Sequence, residues 1–168
     1  MFLQETSFER NCDTSNFVIE GFQVQNFVNT SNGRGIASFL RTKPMSRETI
    51  EEQDMQLEKL SMETVDIVQV YRSSSGTKKH FIEKLSILLN DMKETIIVGD
   101  FNLCSNTESN DIVIQYIFRK RFKSLMMEPT QILGRSIDHC YIKKNAKVTE
   151  IQRYSPYYSD HDSLLITL

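Results

Sequence analysis

Four clusters of polar residues in this chain combine types that share one chemistry. Glu5 sits in Leu3-Gln4-Glu5-Thr6, and Asp100 and Asn102 in Gly99-Asp100-Phe101-Asn102. Asp138 interrupts the apolar run Ile137-Asp138-His139-Cys140-Tyr141-Ile142, and the fourth cluster is Ser159-Asp160-His161-Asp162. Carboxylates, an amide and an imidazole are what metal-assisted hydrolysis of a phosphate ester needs. A phosphodiester is anionic, so hydroxide is repelled unless a cation neutralises its oxygens. Mg²⁺ takes oxygen ligands and keeps several waters, so one or two carboxylates suffice to hold it. Bound there, it stabilises developing charge as a Lewis acid. A second carboxylate accepts a proton from the attacking water and an amide orients that water. A histidine kept protonated by an aspartate donates to the phosphate. Two histidines at metal spacing are absent, which disfavours a zinc hydrolase.

Each cluster also has a purely structural reading. Glu5 alone is a surface glutamate, Asp-x-Asn after a strand is a turn bonding its own backbone, and His161 is a loop histidine paired for structure. Asp138 resists this treatment, because strands are depleted in Asp and a buried unpaired carboxylate is costly.

These residues need elements to position them. Residues 17–28 partly alternate around Gly21 and read as a strand pair or a bent strand, and 32–35 (Asn-Gly-Arg-Gly) as a turn feeding a strand over 36–40. The five acids between Glu48 and Glu58 read as a solvated edge or loop. Residues 65–71 alternate β-branched side chains as a strand does, and 95–99 form a short apolar run of the kind buried on both faces. Phe81, Ile82, Leu85, Leu88, Leu89 and Met92 share one face of a helix over 81–92. A second helix is expected within 110–126, with strands over 136–143 and 163–168. Strands alternating with amphipathic helices predict a layered α/β domain whose polar clusters lie at strand ends, where such sheets collect ligands.

The chain has 168 residues, 39% apolar and 25% charged, with 20 Lys plus Arg against 22 Asp plus Glu. That composition buries a core and excludes a disordered chain. We expect one domain over 1–168. No apolar run reaches the roughly 20 residues that span a bilayer, and residues 1–10 lack the layout of a signal peptide. Cys12, Cys104 and Cys140 are isolated, fitting a reducing intracellular compartment, nucleus or cytoplasm. A net charge of −2 rules out wholesale electrostatic coating of nucleic acid. Local basic groups remain: Arg119, Lys120 and Arg121 form the densest run, with Arg72 and Lys78 beside Tyr71. A basic run on a helix's outer face is equally a solvated surface.

The order LQET, a Tyr-Arg-Ser segment, GDFN, IDH and SDHD resembles the endonuclease/exonuclease/phosphatase superfamily, from Glu5 to His161. Glu128-Pro129-Thr130 and the segments around Asp138 and His161 look most like the versions carried by retrotransposons or Helitron-type transposons. The resemblance implies a four-layer α/β/β/α sandwich of two mixed sheets, here lacking the family's first strand. It implies hydrolysis of DNA, or of RNA, with Mg²⁺ or Mn²⁺. Glu5 and Asp160 would be metal-side carboxylates. Asp100 would position or deprotonate the water, with Asn102 assisting at the phosphate. His161 would bind the phosphate with Asp138 orienting it. Tyr71 would contact the phosphate, with Ser74 where abasic-site enzymes carry asparagine, and Arg72 adding charge. The same fold also hosts phosphatases of small or lipid phosphates, and a catalytically weak binding remnant is a third reading.

Overall fold

The computed structural model describes residues 1–4, 18–22, 24–28, 35–89, 93–104, 110–125, 129–131, 133–143, 150–155 and 159–167. Three sheets and two helices make up these residues. The small sheet consists of β1 (Phe2–Gln4), β2 (Val24–Val28) and β3 (Ile36–Leu40), antiparallel in the order β1-β3-β2. The large one contains β4 (Ser46–Glu52), β5 (Met55–Ser61), β6 (Val65–Arg72), β7 (Glu94–Asp100), β8 (Phe122–Ser124) and β9 (Asp138–Lys143), ordered β4-β5-β6-β7-β9-β8. A third sheet pairs β10 (Glu150–Tyr154) with β11 (Ser163–Thr167).

Among the described strands only β6 and β7 run parallel, so the large sheet is mixed. A parallel pair needs a long crossover, and α1 (Lys78–Leu88) supplies it. Phe81, Leu85 and Leu88 of α1 bury against Met55, Leu57, Val68, Val70 and Ile97. α2 (Ile112–Arg119) adds Val113 and Ile117 to the same cluster. Its first turn is capped by Asp111, whose carboxylate accepts from the Val113 N–H at 2.8 Å. Both helices therefore cover one face of the large sheet.

The opposite face packs on the small sheet, and polar groups hold the two together. Gln69 on β6 donates to the Leu3 carbonyl at 2.6 Å, and Glu58 on β5 accepts from Ser38 at 2.7 Å and Arg47 at 2.6 Å. Glu58 is buried, so these bonds offset the cost of taking its charge out of water. The result is the expected α/β sandwich, with helix, sheet and sheet layers among the described residues. None of the described helices is long and apolar enough to cross a membrane.

The acidic stretch departs from expectation. It folds as the hairpin β4–β5, in which β4 is the solvated edge but β5 is interior. The helix predicted over 81–92 starts three residues earlier and ends at Leu88; Met92 lies outside the described residues, as do 32–34 of the predicted turn.

One glycine is required by the packing. Gly99 has φ +144°, and a Cβ built there would sit 1.9 Å from the Val70 carbonyl oxygen on the neighbouring strand. Gly99→Ala is therefore expected to cost on the order of 3 kcal/mol or more, read as a drop in the urea midpoint. A midpoint equal to the parent's would mean that β6 and β7 do not approach this closely.

Candidate active site

Three strands of the large sheet stop in line. Tyr71 near the end of β6 pairs in register with Asp100 at the end of β7, and Asp100 pairs with Asp138 at the start of β9. Residues opposite one another across a sheet point to the same face, so the three side chains emerge side by side.

Asp100 is buried, 3% exposed. The chain leaves the sheet immediately after it and turns at Asn102, whose φ of +48° is left-handed. Asp100 Oδ1 accepts from the Asn102 N–H at 2.7 Å, and Oδ2 from Asn102 Nδ2 at 3.1 Å. Nδ2 also donates to the Arg72 carbonyl at 2.9 Å. The Asp-x-Asn turn and the candidate site are thus the same object, and Asn102 orients Asp100 directly.

Asp138 accepts from Thr130 Oγ1 at 2.7 Å through Oδ2 and lies 2.9 and 3.1 Å from His161 Nδ1 through its two oxygens. This hydrogen bond to Asp138 raises the His161 imidazole to about 9, and the charges of Asp138, Asp100 and Asp160 add to it against desolvation. His161 is held in place by a bridge to Gln131 and by the Asp162 N–H, which donates to the Thr130 carbonyl at 2.7 Å. Asp100, Asp138 and His161 each offer a ligand atom, all within 4.8 Å of one another. The two carboxylates supply the oxygen ligands a hard divalent cation takes, while the His161 ring, protonated and facing Asp138, stands beside them as a donor.

The other expected site residues are placed as follows. Asp160 is exposed and accepts from Gln131 Nε2 at 3.3 Å, one residue from His161. Glu5 lies outside the described residues. Tyr71 is buried against Val28 and Ile36 beside Asp100. Ser74 is exposed just beyond β6, and Lys78 opens α1 paired with Asp111.

One expectation is corrected by geometry. Arg72 is 1% exposed and donates to the carbonyls of Phe101, Gly76 and Asn102, so its guanidinium is committed to the backbone rather than presented to a phosphate. Arg119, Lys120 and Arg121 lie at the other end of the sheet from the three acidic and imidazole groups. Phe122, next to Arg121, pairs with Lys143, five residues along β9 from Asp138 and so about 17 Å away.

Sequence reasoning missed Thr130 and His139. Thr130 is fully buried and braces Asp138, and only its place in Glu128-Pro129-Thr130 hinted at it. His139 is buried, with Nε2 donating to the Leu103 carbonyl at 2.7 Å and Nδ1 accepting from the Tyr141 hydroxyl at 2.7 Å. Burial lowers its pKa, keeping it neutral, as that bonding requires.

In the metal-free protein the His161 ring resonances should titrate near pH 9, and Asp138→Asn should return the midpoint toward the ordinary value near 6.5. The folded protein binds this proton more tightly than the unfolded chain does. The pair's stabilisation is therefore complete below about pH 6.5 and is lost as pH rises through about 9. An unshifted midpoint in the parent would contradict the pairing.

Comparisons with known proteins place this geometry in context. No family model matches the chain, and no curated protein matches its sequence. Solved structures do match. The 3′ phosphatase NExo from Neisseria, bound to a product DNA hairpin, superposes with a TM-score of 0.75 at 12% identity, covering 98% of this chain and 86% of that one. The endonuclease domain of TRAS1, a telomere-specific non-LTR retrotransposon, gives 0.61 at 14% identity, covering 88% and 79%. CdtB, the biologically active subunit of cytolethal distending toxin, gives 0.63 at 13% identity over 85% of this chain, which spans 66% of CdtB's length. Built from these sheets, and with these solved structures as its counterparts, the chain has the endonuclease/exonuclease/phosphatase fold.

Proposed function

We propose that this chain is a divalent-metal-dependent phosphodiesterase acting on DNA, working with Mg²⁺ or Mn²⁺ in the nucleus or cytoplasm. The observation that carries the reading is the convergence of Asp100, Asp138 and His161 within 4.8 Å. These residues lie far apart in sequence and converge at one end of the large sheet.

The cation, held by oxygens of Asp100 and Asp138 with Asp160 and Glu5 as further carboxylates, would neutralise the phosphate and lower the barrier to attack. The rest falls to the protein. Asp100, braced by Asn102, orients the attacking water and accepts its proton. His161 carries a proton at neutral pH because Asp138 faces its Nδ1. It donates through Nε2 to a phosphate oxygen, while Asp138 and Thr130 fix the ring. Tyr71 lies on the same row, buried beside Asp100.

DNA as substrate is supported by NExo, whose structure holds a DNA hairpin, and by the TRAS1 endonuclease domain. The TRAS1 likeness also supports a mobile-element origin. A second reading, removal of a terminal phosphate, is favoured by one observation: NExo is described both as a 3′ phosphatase and as a 3′–5′ exonuclease.

Nicking of supercoiled plasmid tests the proposal. We expect cleavage with Mg²⁺ or Mn²⁺, none with EDTA, and a loss of at least about 100-fold in Asp100→Ala and in His161→Ala. Folded protein that never cleaves, or variants as active as the parent, refutes it. Preferential release of phosphate from a 3′-phosphorylated duplex would select the second reading.

A further inference from the structure

We infer that Arg72 is a positioning residue: it fixes the loop carrying Asp100 and Asn102 from beneath, without touching the nucleic acid. Only the activity arm of its test rests on the nuclease reading.

The loop has a problem that its own backbone cannot solve. Phe101 makes the last link to the strand side, its N–H donating to the Ile137 carbonyl at 3.0 Å. Beyond it the chain turns at Asn102 in the left-handed conformation, which non-glycine residues adopt uncommonly. It persists only where surrounding bonds over-determine it. Three successive carbonyls, of Phe101, Asn102 and Leu103, leave the ladder here and need donors.

Two buried side chains supply them. Arg72 Nε donates to the Phe101 carbonyl at 2.9 Å and its NH2 to the Asn102 carbonyl at 3.3 Å. His139 Nε2 takes the Leu103 carbonyl, with its ring stacked on Phe101, centroids 4.8 Å apart and planes 14° from parallel. The attachment is reciprocal, since Asn102 Nδ2 returns a bond to the Arg72 carbonyl. The remaining arm of the guanidinium, NH1, donates to the Gly76 carbonyl at 2.7 Å. One side chain therefore ties the β7 exit to the segment joining β6 to α1, which carries Ser74 and leads to Lys78.

A planar fork of five N–H donors can reach carbonyls on two loops at once, whereas an ammonium concentrates its donors on one atom. Strand alternation excludes the phosphate-binding role. Tyr71 shares the face of Asp100, so Arg72, next along β6, points to the opposite, helix-covered face. A phosphate bound at Asp100 and His161 lies on the other side of the sheet.

The test compares Arg72→Lys and Arg72→Met with the parent. Each is measured for kcat and KM on plasmid or oligonucleotide, for the salt dependence of DNA binding, and for amide exchange at Phe101 and Asn102. A positioning role predicts that kcat falls on the order of 100-fold with KM nearly unchanged, and that lysine does not rescue. It also predicts faster exchange at both amides and an unaltered salt slope. A phosphate contact would instead flatten that slope by about 0.9 and let lysine restore binding; either result overturns the inference, as does unchanged kcat in a folded variant. If Arg72→Met does not fold, Arg72→Lys decides. If the parent itself proves inactive, the nuclease reading falls. Exchange then rules on Arg72 alone: faster at Phe101 and Asn102 supports it, unchanged overturns it.

Discussion

The site depends on one close contact, the Val70 carbonyl against the Cα of Gly99. It allows β6 and β7 to pair so tightly that Tyr71 and Asp100 end level, and β9 then sets Asp138 opposite Asp100. Two carboxylates fixed side by side in a part-buried place repel one another. Each is offset separately, Asp100 by two donors from Asn102 and Asp138 by Thr130 and His161. The donors come from different segments, so no single bond removal frees both acids. What repulsion remains is a standing affinity for positive charge between them.

The same economy governs the space between the sheets. Glu58, Gln69 and Ser38 are all buried there, and their hydrogen bonds, rather than apolar contacts alone, join the small sheet to the large one. The apolar core lies on the other face, under α1 and α2. A sheet with an oily side and a hydrogen-bonded side has a fixed facing, because turning it over would bury Glu58 among leucines. That facing brings Asp100 to the polar side and Arg72 to the oily one.

This division also explains what could be read from the chain. The strands over 65–71 and 95–99, and the helix face of Phe81, Leu85 and Leu88, were legible because burial of apolar groups imposes a period on them. β5 was not. Met55 and Leu57 face the helices, but Gln56 and Glu58 face inward too, so a strand buried on both sides looks like part of an acidic stretch. Asp100, Asn102, Asp138 and His161 were legible as types at strand ends, and the structure brings them together. Arg72 was misread because a cation beside a candidate site is indistinguishable in sequence from a cation beneath it. Only the phase of β6, fixed by pairing with β7, separates the two. Thr130 carried no signal in isolation, since its role arises from a contact eight residues along the chain that only the fold creates.

The placement of charge bears on how an anionic substrate would be drawn in. Among the described residues, Arg72 is committed to carbonyls, Lys78 is paired with Asp111, Arg153 is paired with Asp162, and the 119–121 run is at the far end of β9. Arg135 stands exposed on the turn whose carbonyl anchors Thr130 and Gln131, at the rim beside Asp138. Against it stand Asp100, Asp138, Asp160 and Asp162. Such a rim repels a phosphate backbone until the carboxylates are neutralised, and the imidazolium of His161 already faces one of them. On the proposed nuclease reading, a divalent ion would do more than polarise the scissile bond: it would reverse the sign of the field that the substrate meets on approach. On that reading, affinity for nucleic acid and occupancy by the cation would be one linked quantity.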